Sequence, residues 1–307
     1  QEVPEPGHGL PHMLAPSEIP LIENYRNSRG GGTAYVIPPT WTPRTTAEWE
    51  EVQSVVVTWT SFESILKQIV RNAKEECQVI IACVDSTDVI TYLNGVNGGG
   101  PFPDLNNVSF LEVPFNSIWG RDYGAESMYK NEVDSLYLLD WIYNRPRPED
   151  DVMPLTIAAY LGLPIFSTTQ APYDLVHTGG NFMADGFGNA FSSFLVYDEN
   201  GVNGQFNQTV KTPAQVDTLM DQWMGINQYV TIDGERRFFR REAFQSEALP
   251  DLLRMQLPIL EYPVPWHRLF VSSTLDVEAL VPRKYLMRML LLGKDLPVYR
   301  KTKSAIF

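Results

Sequence analysis

The spacing of the apolar positions changes repeatedly along this chain, and each change marks a predicted element. Residues 53–60 alternate between apolar and polar side chains, as in a half-buried strand. Residues 61–76 instead carry apolar side chains at helical spacing, with Ser61 or Ser64 as the expected N-cap. Residues 79–84 form a continuous apolar run rich in β-branched side chains, which is typical of a buried strand.

The same pattern predicts further elements as far as residue 223. Strands are expected at 108–113, 135–142, 165–167 and 189–197, and helices at 89–93, 152–163 and 212–223. Pro164 ends one of these helices, and Pro213 lies in the first turn of another. Repeated strand–helix–strand units with additional strands predict an α/β domain. The pattern alone does not distinguish a propeller of ββαβ units from a doubly wound sheet.

Composition divides the chain into three predicted parts. Residues 1–40 are rich in Pro, Gly and polar side chains, so we expect an extended or disordered N-terminal arm, with regular structure beginning near Trp49. Residues 41–234 hold the predicted α/β domain. Residues 235–307 carry 13 Lys and Arg against 8 Asp and Glu, whereas residues 1–234 carry 11 against 29. This basic tail is either a helical domain or not the natural continuation of the chain, and we favour the second interpretation.

Charge and cysteine content exclude several classes of function. The net charge of −13 argues against a nucleic-acid partner. An acidic surface suits a cationic ligand such as a guanidinium compound, although it also serves solubility. The apolar runs are too short to span a membrane. Cys77 and Cys83 have neither the spacing of zinc ligands nor a favourable geometry for a disulfide, so we expect two structural thiols.

Candidate chemistry begins at residues 116–124, with the sequence Asn-Ser-Ile-Trp-Gly-Arg-Asp-Tyr-Gly. This segment places an aromatic ring, a cation and a carboxylate, from Trp119, Arg121 and Asp122, directly after a predicted strand. A buried ion pair of Arg121, with Trp119 as a packing residue, would be the structural alternative.

Arg145 and Arg147 are each followed by a proline, which favours an extended backbone at both arginines. Side chains two residues apart in an extended segment point the same way. The two guanidinium groups are therefore expected to converge on one spot and to receive a carboxylate. Neutralisation by the acidic residues 149–151 is the alternative.

Two glycine-containing segments follow. The paired glycines of Thr178-Gly-Gly-Asn181 indicate a turn when taken alone. Asp185 is followed by Gly186 and Gly188 and indicates a second turn. His177 is adjacent, but we expect an ordinary polar residue there rather than a catalytic base.

Together, residues 116–124, 144–148 and 178–181 resemble the bacterial peptidyl-arginine deiminases, which are related to the agmatine deiminases within the guanidine-modifying, pentein-fold superfamily. The resemblance covers about residues 41–234. It implies a pentein-type α/β propeller of ββαβ repeats, incomplete or altered after residue 234. It implies no metal and no organic cofactor. The implied activity is that of a hydrolase acting on the C–N bonds of linear amidines, which converts arginine, C-terminal in a peptide, to citrulline and ammonia.

The resemblance also implies a role for each matching residue of the first motif. Asp122 matches the carboxylate that binds the substrate guanidinium, and we expect it to be catalytic. Trp119 would line the substrate pocket, and Arg121 would support it.

The other motifs match residues that recognise the rest of the substrate. Arg145 and Arg147 would hold the α-carboxylate of a C-terminal arginine, a group that agmatine lacks. Asn181 also favours the peptidyl branch, because agmatine deiminases usually carry Glu-Gly-Gly there. Asp185 is expected to have a supporting role.

The remaining catalytic residues of the family have no counterpart in this sequence. The family carries a His-x-Asp pair and a nucleophilic Cys near its C-terminus, but here no His-x-Asp occurs, no Cys follows Cys83, and His267 matches nothing. We therefore expect little or no deiminase activity. The alternatives are a non-catalytic protein that binds arginine or arginyl peptides, an agmatine deiminase and, less favoured, an amidinotransferase that would need the same missing Cys.

The expected partner is an arginine-containing peptide or a small guanidino compound. The first residue is Gln rather than Met, and the polar arm that follows it is typical of a processed, exported protein. We therefore expect a secreted or periplasmic location.

Overall fold

The structure, a computed structural model, describes residues 10–11, 13–28, 34–232 and 305–306. Its strands are β1 (Pro43–Thr45), β2 (Val52–Thr58), β3 (Gln78–Cys83), β4 (Val108–Glu112), β5 (Glu126–Lys130), β6 (Ser135–Tyr143), β7 (Ile165–Thr168), β8 (Val176–His177), β9 (Met183–Ala184), β10 (Asn189–Ser193), β11 (Gln228–Ile232) and β12 (Ala305–Ile306). Its α-helices are α1 (Ile22–Ser28), α2 (Glu63–Ala73), α3 (Ser86–Asn94), α4 (Gly120–Tyr123), α5 (Pro148–Asp151), α6 (Met153–Leu161), α7 (Leu195–Asn200) and α8 (Pro213–Met224). Two 3₁₀ helices span Pro16–Leu21 and Gly179–Asn181.

A parallel sheet forms where the sequence alternates between strands and helices. Strands β2, β3 and β4 are hydrogen-bonded in that order, and β12 pairs with the other edge of β2. The central strand β3 is buried from Val79 to Cys83, which accounts for its unbroken apolar run. Helix α2 packs on this sheet through Leu66 and Val70. The strand–helix–strand prediction for this part of the chain is confirmed.

A second, mixed sheet is built around the nine-residue strand β6. Strand β5 pairs with it antiparallel and β1 extends the sheet, while β7 and β8 pair with β6 in parallel. One face of β6 contributes Leu139 and Trp141 to a core shared with Trp223 of α8. The other face contributes Leu138 to a core shared with Ile157 of α6. Because both faces are buried, β6 is apolar along almost its whole length.

The remaining strands form a small sheet in the order β11, β10, β9. The mixed α/β class is therefore confirmed for the described residues. In this part of the chain, the structure contains no helix that combines the length and apolar character needed to cross a membrane. The chain divides into two units, residues 1–230 with 301–307 and residues 231–300. The sheets and helices belong to the first unit, apart from the last two residues of β11, which are the described part of the second.

The N-terminal prediction is wrong for residues 16–28. This part of the expected extended or disordered arm forms a 3₁₀ helix followed by α1. The buried Tyr25 explains the difference, because it packs edge-on against Phe206 and joins a small core with Ile142. The predicted tail at 235–307 lies outside the described residues, apart from β12.

Two local predictions also need correction. The strand expected at 189–197 ends at Ser193, and a helix, α7, follows. The Asn200 side chain explains this change, because it bonds to both backbone groups of Val176 and so fixes the end of α7 against β8. At the start of α2, the N-cap is Phe62 with a positive φ of 52°, not Ser61 or Ser64.

Helix α8 is closed at its N-terminus by a reciprocal pair of hydrogen bonds. The Gln215 backbone N–H donates to Thr212 Oγ1 at 3.3 Å, and the Thr212 N–H donates to Gln215 Oε1 at 2.8 Å. This capping box satisfies backbone donors that have no partner within the helix. It therefore stabilises the helix that carries Trp223 into the core.

We predict that Thr212→Ala lowers the free energy of unfolding by about 1 kcal/mol, because it removes the N-cap acceptor. The matched control is Thr218→Ala, inside the same helix, where Thr218 Oγ1 bonds back to the Ala214 carbonyl at 2.7 Å. That change should be neutral or raise the free energy of unfolding by a few tenths of a kcal/mol, because Ala has the higher helix propensity. Urea unfolding of both variants decides the matter, and an equal loss in both would contradict the capping role.

Candidate functional site

The first motif ends in the short helix α4, which carries Arg121 and Asp122. Tyr123 fixes this helix, since its buried hydroxyl lies 2.6 Å from Thr58 Oγ1 and donates to the Ser117 carbonyl at 3.2 Å. Asp122 is partly exposed on this helix, which contacts strand β2. The motif therefore presents a carboxylate on a helix that is held by buried hydrogen bonds.

The paired glycines 179 and 180 pack directly on this helix. A Cβ on Gly179 would overlap the Arg121 carbonyl oxygen, and a Cβ on Gly180 would overlap Asp122 Oδ1. Thr178 Oγ1 also donates to the Asp122 carbonyl at 3.3 Å. Gly179 is required by its close approach to the backbone of α4, Gly180 lies against the Asp122 side chain, and together they bring the third motif against the first.

The second motif is tied to the first by the carboxylate of Asp150. Its Oδ1 accepts from the backbone N–H groups of Asn116 at 2.7 Å and Ser117 at 3.0 Å, and its Oδ2 accepts from Ser117 Oγ at 2.7 Å. Asn116 Oδ1 in turn accepts from the Glu149 N–H at the start of α5 at 2.9 Å. Three motifs that are far apart in the sequence are thus joined in one region.

The backbone between the two arginines differs from the prediction. The Arg147 N–H donates to the Arg145 carbonyl at 2.8 Å, a bond that closes a three-residue turn at Pro146 instead of leaving an extended segment. The expected extended segment is therefore wrong, and the two side chains are no longer required by the backbone to point the same way. Proline fixes only its own φ, and that value is compatible with a turn as well as with an extended chain.

The two guanidinium groups have different surroundings. Arg147 is buried and forms a two-pronged ion pair with Glu18, at 2.7 Å from Nε to Oε1 and 3.1 Å from Nη2 to Oε2. Arg145 is partly exposed, and its Nη1 donates to the Asn144 carbonyl at 2.6 Å. The acidic residues 149–151 are not the partners of this Arg147 ion pair.

Arg121 lies at an exposed edge of the site. Its Nη2 donates to Glu48 Oε1 at 2.7 Å and to the Phe182 carbonyl at 3.2 Å. The charge of Arg121 also acts on the buried Glu126. Burial raises the pKa of Glu126 to about 7, and the positive charge of Arg121 opposes this shift. Trp119 is partly buried, and its Nε1 donates to the Leu10 carbonyl at 2.8 Å.

Asn181 and Asp185 both take part in local backbone contacts. Asn181 Oδ1 accepts from the Ser193 N–H at 2.8 Å, and its Nδ2 donates to no group among the described residues. Asp185 accepts from the Phe187 and Asn189 N–H groups at 2.8 and 3.1 Å, which is the turn that its glycine neighbours predict. These contacts give both residues a structural role, and their predicted roles towards a substrate stay predictions.

The His177 imidazole and the two thiols are poorly suited to acid–base or nucleophilic chemistry. His177 is fully buried against Trp141 and Phe182, and burial lowers its pKa to about 3, so the ring is neutral. Burial raises the pKa of Cys83 to about 11, and Cys77 donates to the Ala73 carbonyl at 3.5 Å. Neither cysteine is part of a disulfide.

Four acidic residues contribute to this region although the motifs did not identify them. Glu199 is one, since it accepts from Asn144 Nδ2 at 2.7 Å, and burial raises its pKa to about 7 against the influence of Asn144 and Arg145. Asp150 stands next to a motif, so its position was a usable signal. The others, Glu18, Glu126 and Glu199, lie in segments whose sequence gives no indication of a site.

Solved structures of deiminases share this fold. A crystal structure assigned to a peptidyl-arginine deiminase has 18% identity and a TM-score of 0.51, with 62% of this chain and 57% of that chain covered. A structure from Porphyromonas gingivalis assigned to an arginine deiminase has 16% identity and a TM-score of 0.50, with 62% and 57% covered. The chain therefore spans less than two thirds of the length of either structure, and the likeness concerns the fold.

The sequence places the chain more specifically. The profile of the Porphyromonas-type peptidyl-arginine deiminases matches residues 44–237, more than half of the chain, and the chain belongs to this family. The resemblance inferred over about residues 41–234 is confirmed. The match ends at residue 237, close to the change in composition.

We predict that Gly180→Ala destabilises the protein by about 1–3 kcal/mol, because the new methyl group must displace Asp122 or the 3₁₀ helix. Gly120→Ala in α4 is the control, since its Cβ would lie in ordinary contact, 3.4 Å from Thr58 Oγ1. Thermal or urea unfolding measures both. Equal stability of the two variants would show that the glycine contact is looser than these distances indicate.

We also predict a pH-dependent gain from Glu126→Gln. Because burial raises the folded-state pKa of Glu126 from its ordinary value to about 7, the native state binds more protons between these values. At low pH the buried Glu126 carboxyl is protonated, and it does not destabilise the native state. As the pH rises towards and through about 7, the carboxyl must ionise in the interior, and the free energy of unfolding falls. Glu126→Gln should raise the melting temperature more at pH 8 than at pH 5, whereas Glu132→Gln, at an exposed position, should not. The same gain at both pH values would contradict this account.

Proposed function

We propose that this site binds the guanidinium group of an arginine at the C-terminus of a peptide, with Asp122 as its carboxylate partner. The packing of Gly180 against Asp122 Oδ1 carries the proposal. It places a partly exposed carboxylate where the third motif packs on the first. A carboxylate held in this way can accept two parallel hydrogen bonds from a guanidinium fork.

The carboxylate of the same arginine would be recognised at the second motif. Arg145 supplies a partly exposed cation on a turn that Asp150 joins to the first motif. Agmatine has no carboxylate, so a cation here favours a C-terminal arginine. Family membership supports a guanidinium substrate in general. Arg145 supports the narrower proposal of a C-terminal arginine over agmatine.

We further propose that this polypeptide binds without turnover. Deimination replaces a guanidinium nitrogen by oxygen and releases ammonia, and it needs a nucleophile and a proton donor for the leaving group. The Cys83 thiol, with a pKa of about 11, is not ionised near pH 7, and the His177 imidazole, with a pKa of about 3, is not protonated. The rest of the sequence has no Cys after Cys83 and no His-x-Asp pair.

We predict that Asp122→Asn weakens the binding of a peptide ending in arginine by about 10- to 100-fold, the equivalent of one charged hydrogen-bonded pair. Isothermal titration calorimetry on the full chain measures this loss. The control Asp221→Asn makes the same chemical change at an exposed position of α8 and should leave the affinity unchanged.

The same titration tests the substrate class, and a citrulline assay on the same peptide tests the absence of turnover. The peptide acid should bind more tightly than its C-terminal amide and than agmatine. A preference for agmatine would overturn the peptide assignment. Formation of citrulline at an ordinary enzymatic rate would overturn the proposal that the chain only binds.

A further inference from the structure

The N-terminal segment, residues 10–21, lies against two of the predicted substrate-binding residues; the structure describes all of it except residue 12. The Leu10 carbonyl accepts from Trp119 Nε1 at 2.8 Å. The carbonyls of Pro11 and Met13 accept from Arg147 Nη2 at 2.6 and 3.4 Å. This segment is therefore part of the site region, although it precedes the first motif by about a hundred residues.

The strongest contact of this segment is the ion pair of Glu18 with Arg147. The two side chains are 4% and 1% exposed. Glu18 Oε2 also accepts from the Ala15 N–H at 2.8 Å, so the carboxylate is held by its own 3₁₀ helix. Arg147 Nη1 donates to Tyr143 Oη at 3.5 Å, and with the other bonds all three guanidinium nitrogens are engaged.

A substrate carboxylate would gain little by taking this place. The bonds that it would form with Arg147 only replace those that Arg147 now makes with Glu18. The buried Glu18 carboxylate would then be left without its cation. Removing one member of a buried ion pair is strongly unfavourable, because the other charge is left uncompensated. Burial alone would lower the pKa of Arg147, but the bonds to Glu18 and the nearby Tyr143 and Asp150 raise it overall, so the guanidinium stays charged.

We propose that Glu18 withdraws Arg147 from substrate recognition. Arg147 is then a positioning residue that holds the N-terminal segment beside Trp119, and Arg145 is the residue that selects a ligand carboxylate. This assignment of specificity rests on the proposed function, whereas the pairing of Glu18 with Arg147 does not. The two arginines differ in exposure. Arg145 is partly exposed, whereas Arg147 is buried and is the N-cap residue of α5.

The first experiment refills the Glu18 site with a small carboxylate. Glu18→Ala leaves a carboxylate-sized space beside Arg147, so we expect its melting temperature to fall by roughly 10 °C. Sodium acetate should recover at least a third of this loss relative to sodium chloride at equal ionic strength. The control Glu23→Ala, at an exposed position in the first turn of α1, should show neither the loss nor the recovery.

Two results would overturn the pairing. One is a melting temperature of Glu18→Ala equal to that of Glu23→Ala. The other is the same effect of acetate and chloride on Glu18→Ala. If this variant is recovered only in an unfolded form, the yield of refolded protein in acetate and in chloride is compared instead, with the same interpretation.

The second experiment separates the two arginines by ligand discrimination. We expect the wild-type chain to prefer an arginyl peptide acid over its amide by about 10- to 100-fold, from one charged hydrogen-bonded pair. Arg145→Gln should reduce this ratio to about one. Arg147→Lys should lower the melting temperature but keep the ratio.

Loss of the ratio in Arg147→Lys, with retention in Arg145→Gln, would overturn the assignment of specificity. If the wild-type chain binds neither peptide, the proposed function fails. The acetate experiment would still decide whether Glu18 and Arg147 form the buried pair.

Discussion

The arrangement of the candidate site depends on the buried carboxylate of Asp150. It accepts hydrogen bonds from two backbone N–H groups and one hydroxyl of residues 116 and 117, and these bonds set the first motif against α5. Burial raises the pKa of Asp150, while these bonds and the charge of Arg147 oppose the shift. An unpaired carboxylate in this position would be costly. The first motif and the segment that carries the arginine turn therefore stabilise one another through these bonds.

The third motif joins the first through steric fit. Helix α4 is fixed by Tyr123, and the backbone of glycines 179 and 180 fits against it with no space for a side chain. These constraints fix main-chain positions and place Gly180 against the Asp122 carboxylate. A preorganised carboxylate loses little freedom when it pairs with a guanidinium group, which is a physical advantage in binding. The same close packing explains why a glycine pair far along the chain from Asp122 belongs to the same set of motifs.

Local pattern is sufficient to predict most of the fold and part of the site. Strands β3 and β6 are predicted because burial on both faces produces an apolar run that is visible in the sequence. Helix α7 is not predicted, because its own Asn200 side chain bonds to the distant Val176, and tertiary contacts of this kind leave no periodic signal. The ion pair of Glu18 with Arg147 joins residues 129 positions apart, and the sequence does not indicate which acid meets which base. At Pro146, the local rule allows two conformations, and the extended one that we expected is wrong.

The contacts that hold the described candidate groups involve one part of the chain and its N-terminal segment. The carboxylate, the arginine turn and the glycine pair lie within residues 116–181, and their geometry depends on bonds among themselves and with the N-terminal segment. A nucleophile and a proton donor are not needed to build this geometry. The proposed fit of the described groups to a guanidinium ligand therefore rests on these contacts alone. Interactions that are equally strong in the ground state and in the transition state contribute to binding and not to the chemical step.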